Sequence, residues 1–465
     1  MADPIAELRA ALPEPGVVLT DPDVLSGYRH DAADLCAAGT PLAVIRPRGT
    51  ADVAAALRIA ATHRLPVVAQ GARTGLAGGA NAIDGALVLS MTAMRQIREI
   101  DPVDRLAVVQ PGVLTAELRD AAAAHGLSYP PDPSSVQSCT IGGNVATNAG
   151  GMCCVKYGVT GEYVLGLEVV LADGEVLHCG RRTAKGVAGY DLTRLFVGSE
   201  GTLGVITEIT LRLRPAADEA RTLVAAFPSV AAAGAAVTAI TAAGLTPSLL
   251  ELLDQVRLRA IEAYQPMGLN TGTQALLLVA ADTGTRAEAE LATIAGHCRS
   301  AGADEVYVAT DAVQADALLA ARRLAYPAME HLAVTAFPGG NGGVLLDDVA
   351  VPRAQLVEMI DGVARIATAH GIVVGVAAHA GDGNLHPAIV VDRADPSSVE
   401  RGRAVFDEIM ALGLALGGTC TGEHGVGLLK RDWLARELGP VGVRVQRAVK
   451  AALDPDGILN PGKVL

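Results

Sequence analysis

The sequence predicts an α+β protein of two lobes, and three observations carry that prediction. A chain of 465 residues is long enough for roughly two to four domains of about 150 residues each. Its first half alternates short helices with β-type runs punctuated by Pro and Gly. After a boundary at residues 216–220, the pattern becomes the strand–helix alternation of a sheet with helices on one face. The expected division is residues 1–218, residues 219–420 and a C-terminal segment, 421–465.

Composition narrows the classes. Half the residues are hydrophobic and 19% are charged, enough for large cores and far from the signature of disorder. A formal net charge of -13 disfavours nucleic acid and anionic membrane as partners held by bulk electrostatics, while leaving room for a local basic pocket. Fifty-two glycines against four Phe and one Trp point to tight turns and close backbone approaches.

In the first half, PLAVIRP, LPVVAQG, ALVLSM and LAVVQPG read as strands, and residues 52–63 as a helix. VLGLEVVLADGEVLHCG reads as a hairpin turning at Asp173 and Gly174, and TLGVITEITLRLRP as a strand ending at Pro215. Beyond the boundary, RTLVAAF, SLLELLD, QALLLVAAD and EVYVAT are strands, with helices at 230–243 and 286–301 between them. One long helix from Asp311 to about Leu332 leads into the loop FPGGNGGV. A helix at 353–369, the strand IVVGVAAHA, a GDGN turn, the strand LHPAIVV and a helix at 399–416 follow, and DPDGILNPGKVL reads as a capped loop. Residues 225–250 carry no charge and exceed the ~20 residues of a membrane-spanning helix. Pro228 and Pro247 interrupt them, so they read as strand end, helix and strand start. The N-terminus lacks the apolar region of a signal peptide. Seven cysteines, with Cys153 and Cys154 adjacent and no C-x-x-C, suggest neither a disulfide framework nor a cysteine zinc site, which fits a reducing compartment.

Three Gly-rich segments stand out. Gln70, Gly71, Ala72, Arg73, Thr74, Gly75, Leu76, Ala77, Gly78, Gly79, Ala80 and Asn81 follow a strand. Such a run lets backbone N–H groups converge on an anion without Cβ obstruction. Its spacing is neither the dinucleotide fingerprint nor the P-loop, and a Gly-rich surface loop is the plain alternative. The second comprises Pro131, Asp132, Pro133, Ser134 and Ser135, then Thr140, Ile141, Gly142, Gly143, Asn144, Val145, Ala146, Thr147, Asn148, Ala149, Gly150 and Gly151, then Tyr157. Two such loops in one domain suit a large dinucleotide gripped at separate points. The third, Glu200, Gly201, Thr202, Leu203, Gly204, Val205 and Ile206, runs into a strand.

Reactive groups concentrate in the second half. His379 and His386 flank the turn Gly381, Asp382, Gly383, Asn384, which can bring both rings to one point. Glu423 and His424 add a carboxylate and a third imidazole between glycines. Two His and one carboxylate are a normal ligand set for catalytic Zn²⁺, Mn²⁺ or Fe²⁺, although a satisfied structural role is the default for any single His. Arg322 and Arg323 lie on a helix, where arginines are usually solvated, and Arg323 is read that way.

Taken together, these motifs, in order from about Leu42 to Lys463, resemble the vanillyl-alcohol oxidase and p-cresol methylhydroxylase superfamily of flavoproteins. The resemblance is to the branch of FAD-linked D-2-hydroxyacid dehydrogenases: D-lactate dehydrogenases, the catalytic subunit of glycolate oxidase and D-2-hydroxyglutarate dehydrogenase. It implies a two-lobed FAD-binding domain of the p-cresol methylhydroxylase type, then an α+β, ferredoxin-like substrate cap domain, with the C-terminal tail returning to the FAD domain. Residues 71–81 would cradle the FAD pyrophosphate, and the second and third segments would wrap the adenosine and isoalloxazine portions. With no His at 70–81, the flavin is expected to be held without a covalent bond.

The same resemblance implies that His379, His386 and Glu423 bind a divalent cation, that His424 is the general base, that Arg322 pairs with the substrate carboxylate, and that Asn384 lines the pocket. Branch members commonly have Trp at or beside Leu319. In hydroxyglutarate enzymes, Thr and Lys help hold the distal carboxylate at positions aligned with Tyr326 and Leu346, and the absence of both here implies a monocarboxylate with a small or apolar tail. Lys430, Asn460 and Lys463 match the family tail; Asn460 and Lys463 would either reach the flavin or cap the C-terminus.

The expected activity is oxidation of a D-lactate-like hydroxy acid to its 2-oxo acid. Glycolate oxidase catalytic subunit and D-2-hydroxyglutarate dehydrogenase are the alternatives within the branch. Electrons would leave through quinone, an electron-transfer flavoprotein, a partner oxidase subunit or oxygen. The expected location is cytoplasmic, with peripheral association at the inner face of the membrane and a homodimer left open. A non-catalytic flavin-binding subunit, a non-redox lyase or transferase on the same fold, and a flavin-free metal hydrolase are the rivals of other classes.

Overall fold

The computed structural model describes residues 3–309 and 312–465, with two compact units. One comprises Met1–Gly150, Val159–Ala216 and Glu423–Leu465; the other comprises Gly151–Gly158 and Ala217–Gly422.

The first unit contains a four-stranded sheet in the order Val18–Leu19, Ala43–Ile45, Leu87–Ser90, Val67–Gln70, the last three parallel. Helix Thr50–His63 is Ala-rich and buries Val53, Ala56, Leu57 and Ala60, a one-sided stripe at helical spacing. That stripe shares a core with Ile45, Leu87, Leu89, Val170 and Leu459. A five-stranded antiparallel sheet runs Ile97–Asp101, Leu106–Val109, Val205–Arg212, Val164–Val170, Val176–Gly180. The hairpin turn falls at Asp173 and Gly174, where Gly174 N–H donates to Leu171 O. The tail belongs to this unit. Asn460 N–H donates to Val67 O and Val464 N–H to Gly427 O.

The second unit is built on an eight-stranded antiparallel sheet. Its path is Glu305–Val308, Arg221–Phe227, Ala275–Ala281, Leu249–Asp254, Val374–His379, Asn384–Asp392, Gly342–Leu346, with Val349–Ala350 also paired to Asn384–Asp392. In chain order, the first four strands lie fourth, first, third, second, the ferredoxin-like arrangement. The uncharged stretch resolves into the end of Arg221–Phe227, helix Val230–Ala242 and the start of Leu249–Asp254. No helix among the described residues is long and apolar enough to cross a membrane. None of the seven cysteines is in a disulfide.

Two elements differ from expectation. The single helix read from Asp311 to about Leu332 is two, Ala312–Arg323 and Ala325–Ala336; Asp311 itself lies outside the described residues. Pro327 falls in the first turn of the second helix, where its missing N–H is not needed. The segment before the tail carries an unexpected helix, Arg431–Leu453, broken at Gly439 and Pro440 and burying Trp433.

Candidate active site

In the first unit, the three Gly-rich segments converge. A Cβ on Gly71 would collide with Thr140 Oγ1, and one on Gly79 would lie 2.7 Å from Glu200 Oε2. Thr140 caps helix Ile141–Thr147 through Gly143 N–H, 3.2 Å. Gln70 is buried; its amide donates to Tyr28 O and Ala80 O, while Oε1 has no partner among the described residues. Asn460 donates to Gly79 O at 3.0 Å and Glu200 O at 2.7 Å, and its Oδ1 is likewise unpaired. Two buried, unpaired amide oxygens in a glycine-lined loop cluster fit a ligand that itself donates hydrogen bonds, as the heterocycles and ribityl hydroxyls of FAD do.

Several residues expected to bind cofactor are committed elsewhere through their side chains. Asn81 Oδ1 accepts from Asp31 N–H, Asn144 donates to Thr115 Oγ1, and Asn148 Oδ1 accepts from Gly161 N–H. Glu200, with φ +50°, accepts from Val426 N–H at 2.7 Å and Gly427 N–H at 2.9 Å. Burial pushes its pKa up to about 7. Lys463 donates to Gly79 O and Asn81 O, and burial lowers its pKa to about 8. In this unit Glu423 lies against Gly150 and its carboxylate is 3.7 Å from His424 Nε2. Gly151 and Tyr157 fall in the second unit, where the Tyr157 hydroxyl and the Lys156 ammonium both engage Asp282.

In the second unit, the sheet sets the geometry. His379 pairs across strands with Asn384, and His386 sits two residues further along the same strand. With a side-chain period of two, both rings emerge on one face. Their centroids are 4.9 Å apart at 82°, and their nearest ring nitrogens lie within 4.8 Å. Gly383 makes the connecting turn with φ +77°, and a Cβ there would strike Val351 O.

Each imidazole has a carboxylate behind it. Glu251 is the cross-strand partner of His379 on its other side. Its Oε1 lies 2.7 Å from His379 Nδ1, and Oε2 accepts from Arg322 Nε at 2.6 Å. Burial works to raise the Glu251 pKa, but the charges of His379 and Arg322 and their hydrogen bonds outweigh it and hold the carboxyl below its ordinary range. Asp348 lies 3.7 Å from His386 Nδ1, accepts from Asn384 Nδ2 at 2.8 Å, and takes Thr421 Oγ1 at 2.7 Å and Gly422 N–H at 3.0 Å. A second layer follows Glu251 along the chain. Asp254 accepts from Val376 N–H and is pushed up to about 6 by burial. Fully buried Arg257 donates to Gly375 O, Ala325 O and His386 O.

Arg322 is buried, with Nη2 unpaired among the described residues, whereas Arg323 is exposed. Tyr326 is half-buried in the following helix. Leu319, where the branch commonly has Trp, packs against the cluster of Met152, Leu249, Leu278 and Ala280. Sequence reading brought the His379 and His386 rings to one point and, through the resemblance, added Asn384 and Arg322 to the pocket, but it missed Glu251, Asp254, Arg257 and Asp348. For Glu251 and Asp254 the advance signal was charge inside a strand that otherwise reads as apolar; Arg257 in the next helix and Asp348 between two strands carried none.

Comparison with known proteins defines the class. Residues 41–180 match the family "FAD binding domain" and residues 217–464 match "FAD linked oxidases, C-terminal domain". The chain belongs to the FAD-linked oxidase family and is an FAD-dependent oxidoreductase. It is 44% identical to glycolate oxidase subunit GlcD of Bacillus subtilis (strain 168), over 91% of this chain and 89% of that protein. It is 36% identical to D-lactate dehydrogenase of Anaerostipes hadrus, over 97% and 95%. A solved structure of p-cresol methylhydroxylase superimposes with TM-score 0.81 at 20% identity, covering 99% of this chain and 96% of that one, which establishes the fold.

Proposed function

We propose that this protein oxidises a small D-2-hydroxy monocarboxylate of the D-lactate type to the 2-oxo acid. The observation that carries the reading is the buried row in the second unit: Arg322 and His379 joined through Glu251, with His386 beside them. A guanidinium is shaped to pair with a carboxylate. Two imidazoles whose Nδ1 edges face carboxylates present their opposite nitrogens as a metal donor set does.

Bound FAD supplies a two-electron oxidant, and a divalent cation supplies Lewis acidity toward the hydroxyl. The cation's ligands would be His379, His386 and Glu423, the residue after Gly422, with Zn²⁺ the expected ion and Mn²⁺ or Fe²⁺ the alternatives. The segments around Gly71, Gly143 and Gly201 would hold FAD non-covalently. Arg322 pairs with the substrate carboxylate through Nη2. His424 accepts the hydroxyl proton on an imidazole nitrogen, a base suited to near-neutral pH. Asn384 and Tyr326 border the substrate and exclude water. Electrons then pass to quinone, an electron-transfer flavoprotein or a partner subunit.

A second reading, glycolate as substrate, is favoured by the 44% identity to a subunit named for glycolate oxidase. Anaerobic mixing with D-lactate, L-lactate, glycolate and D-2-hydroxyglutarate, with and without chelator, tests both. Flavin bleaching by D-lactate is expected, with little response to D-2-hydroxyglutarate and loss of the response after chelation. Bleaching by none of the four sinks the reading. His424→Ala should keep its flavin and lose about 10²–10⁴-fold in turnover; near-normal rates would show the base to be elsewhere.

A further inference from the structure

Glu251 is nearly fully buried, its side chain 1% exposed, and each carboxylate oxygen serves one neighbour, Oε2 Arg322 and Oε1 His379. A carboxylate taken out of water this completely is tolerable only when its charge is paired and its lone pairs are used. The same strand and the helix after it anchor the surroundings. Asp254 holds the backbone of Val376, and Arg257 holds the carbonyls of Gly375, Ala325 and His386. Glu251 therefore sits on a rigid support with two functional side chains attached to one group.

We propose that Glu251 is a positioning residue that sets Arg322 and His379 together, turning the guanidinium so that Nη2 meets the substrate carboxylate and fixing the imidazole as the Nδ1–H tautomer with its lone pair on Nε2. Taking Nε removes one edge of the guanidinium from use and leaves the far end for the ligand. Accepting from Nδ1–H orients the ring and raises the basicity of the opposite nitrogen, as carboxylates behind metal-bound histidines do. This deepens the functional reading above and rests on it. Substrate binding and cation retention become linked properties, because a change in one carboxylate disturbs both.

Glu251→Gln tests the linkage. Its amide keeps the volume but puts an NH2 donor where one carboxylate oxygen stood, so the bonds that Arg322 Nε and His379 Nδ1 make to separate oxygens cannot both be kept. The purified variant, compared with wild type by competition for Zn²⁺ against a chromophoric chelator, should retain the ion about 10–100-fold less tightly. It should also show a KM for the hydroxy acid raised by at least tenfold, with kcat falling less. A merely structural role would lower the melting temperature and flavin content while leaving Zn²⁺ affinity and KM of the folded fraction within twofold, and that result would overturn the proposal.

Should the variant not fold, nitrogen NMR of histidine-labelled wild type decides, with the His379 signals assigned by a His379→Gln control. The Nδ1–H tautomer supports the proposal and an Nε2–H tautomer overturns it. Wild type that binds no Zn²⁺ but holds the Nδ1–H tautomer would sink the metal reading and support the positioning. Wild type and variant binding Zn²⁺ equally would sink the positioning and leave the metal reading standing.

Discussion

The two candidate regions of this protein are built by different means. In the first unit, the loops around Gly71, Thr140 and Glu200 come together because glycines let backbone approach backbone and side chain, and the polar groups are largely carbonyls and amides. In the second, Glu251, His379 and His386 on the sheet and Arg322 on a helix carry the chemistry, and buried charge is matched by buried charge. Tolerance should differ accordingly. The loop region should be sensitive to added volume, and the sheet region to removed charge.

The largest expected effect lies in the sheet region. Arg257→Met removes the donor to three buried carbonyls and leaves Asp254 without its cationic neighbour. On the order of 3–5 kcal/mol of stability should be lost, measured by denaturant unfolding. A loss below about 1 kcal/mol would mean that water or relaxation replaces the guanidinium.

Next is Gly71→Ala, whose Cβ would land on Thr140 Oγ1. A cost of about 1–3 kcal/mol is expected from overpacking, together with lower flavin content after purification. Adding Thr140→Ala should restore flavin despite losing a helix cap worth ~1 kcal/mol, so the two changes should be strongly non-additive. Simple additivity would break the contrast between the regions.

The smallest effect sharpens the contrast from the electrostatic side. Glu200→Gln leaves Val426 and Gly427 N–H with one acceptor where the carboxylate offers two, a cost of roughly 1–2 kcal/mol. Because burial raises the folded pKa of Glu200 to about 7 from 4.5, the native state binds the extra proton between those values. Wild-type stability from this group is therefore present below about pH 4.5 and declines as pH rises to about 7. The deficit of the Gln variant in thermal melts should be larger at pH 5 than at pH 8; a constant deficit would place the Glu200 pKa near the ordinary value.

Much of this was legible in the residues. Apolar runs ended by Gly and Pro gave the strands, the Asp173 and Gly174 pair gave the hairpin, and the spacing of His379 and His386 around a tight turn gave two rings able to reach one point. The helix Arg431–Leu453 escaped because it is polar on average and is broken at Gly439 and Pro440, which interrupt its pattern partway along. The long helix before the Gly-rich loop was misread because Pro327 was not recognised as opening a second one.

Sequence alone determined the class of protein through the resemblance of its ordered motifs to a flavoprotein family, because glycine-rich loops and a paired-histidine turn are local devices written in consecutive residues. Only the tertiary structure decided which carboxylates stand behind the imidazoles. Glu251 is 128 residues from His379, and Asp348 is 73 residues from Thr421. Strand register brought Glu251 opposite His379, and the loop path brought Asp348 to Thr421. Register is set by the packing of whole sheets, and a buried charge finds its partner only when that packing is complete.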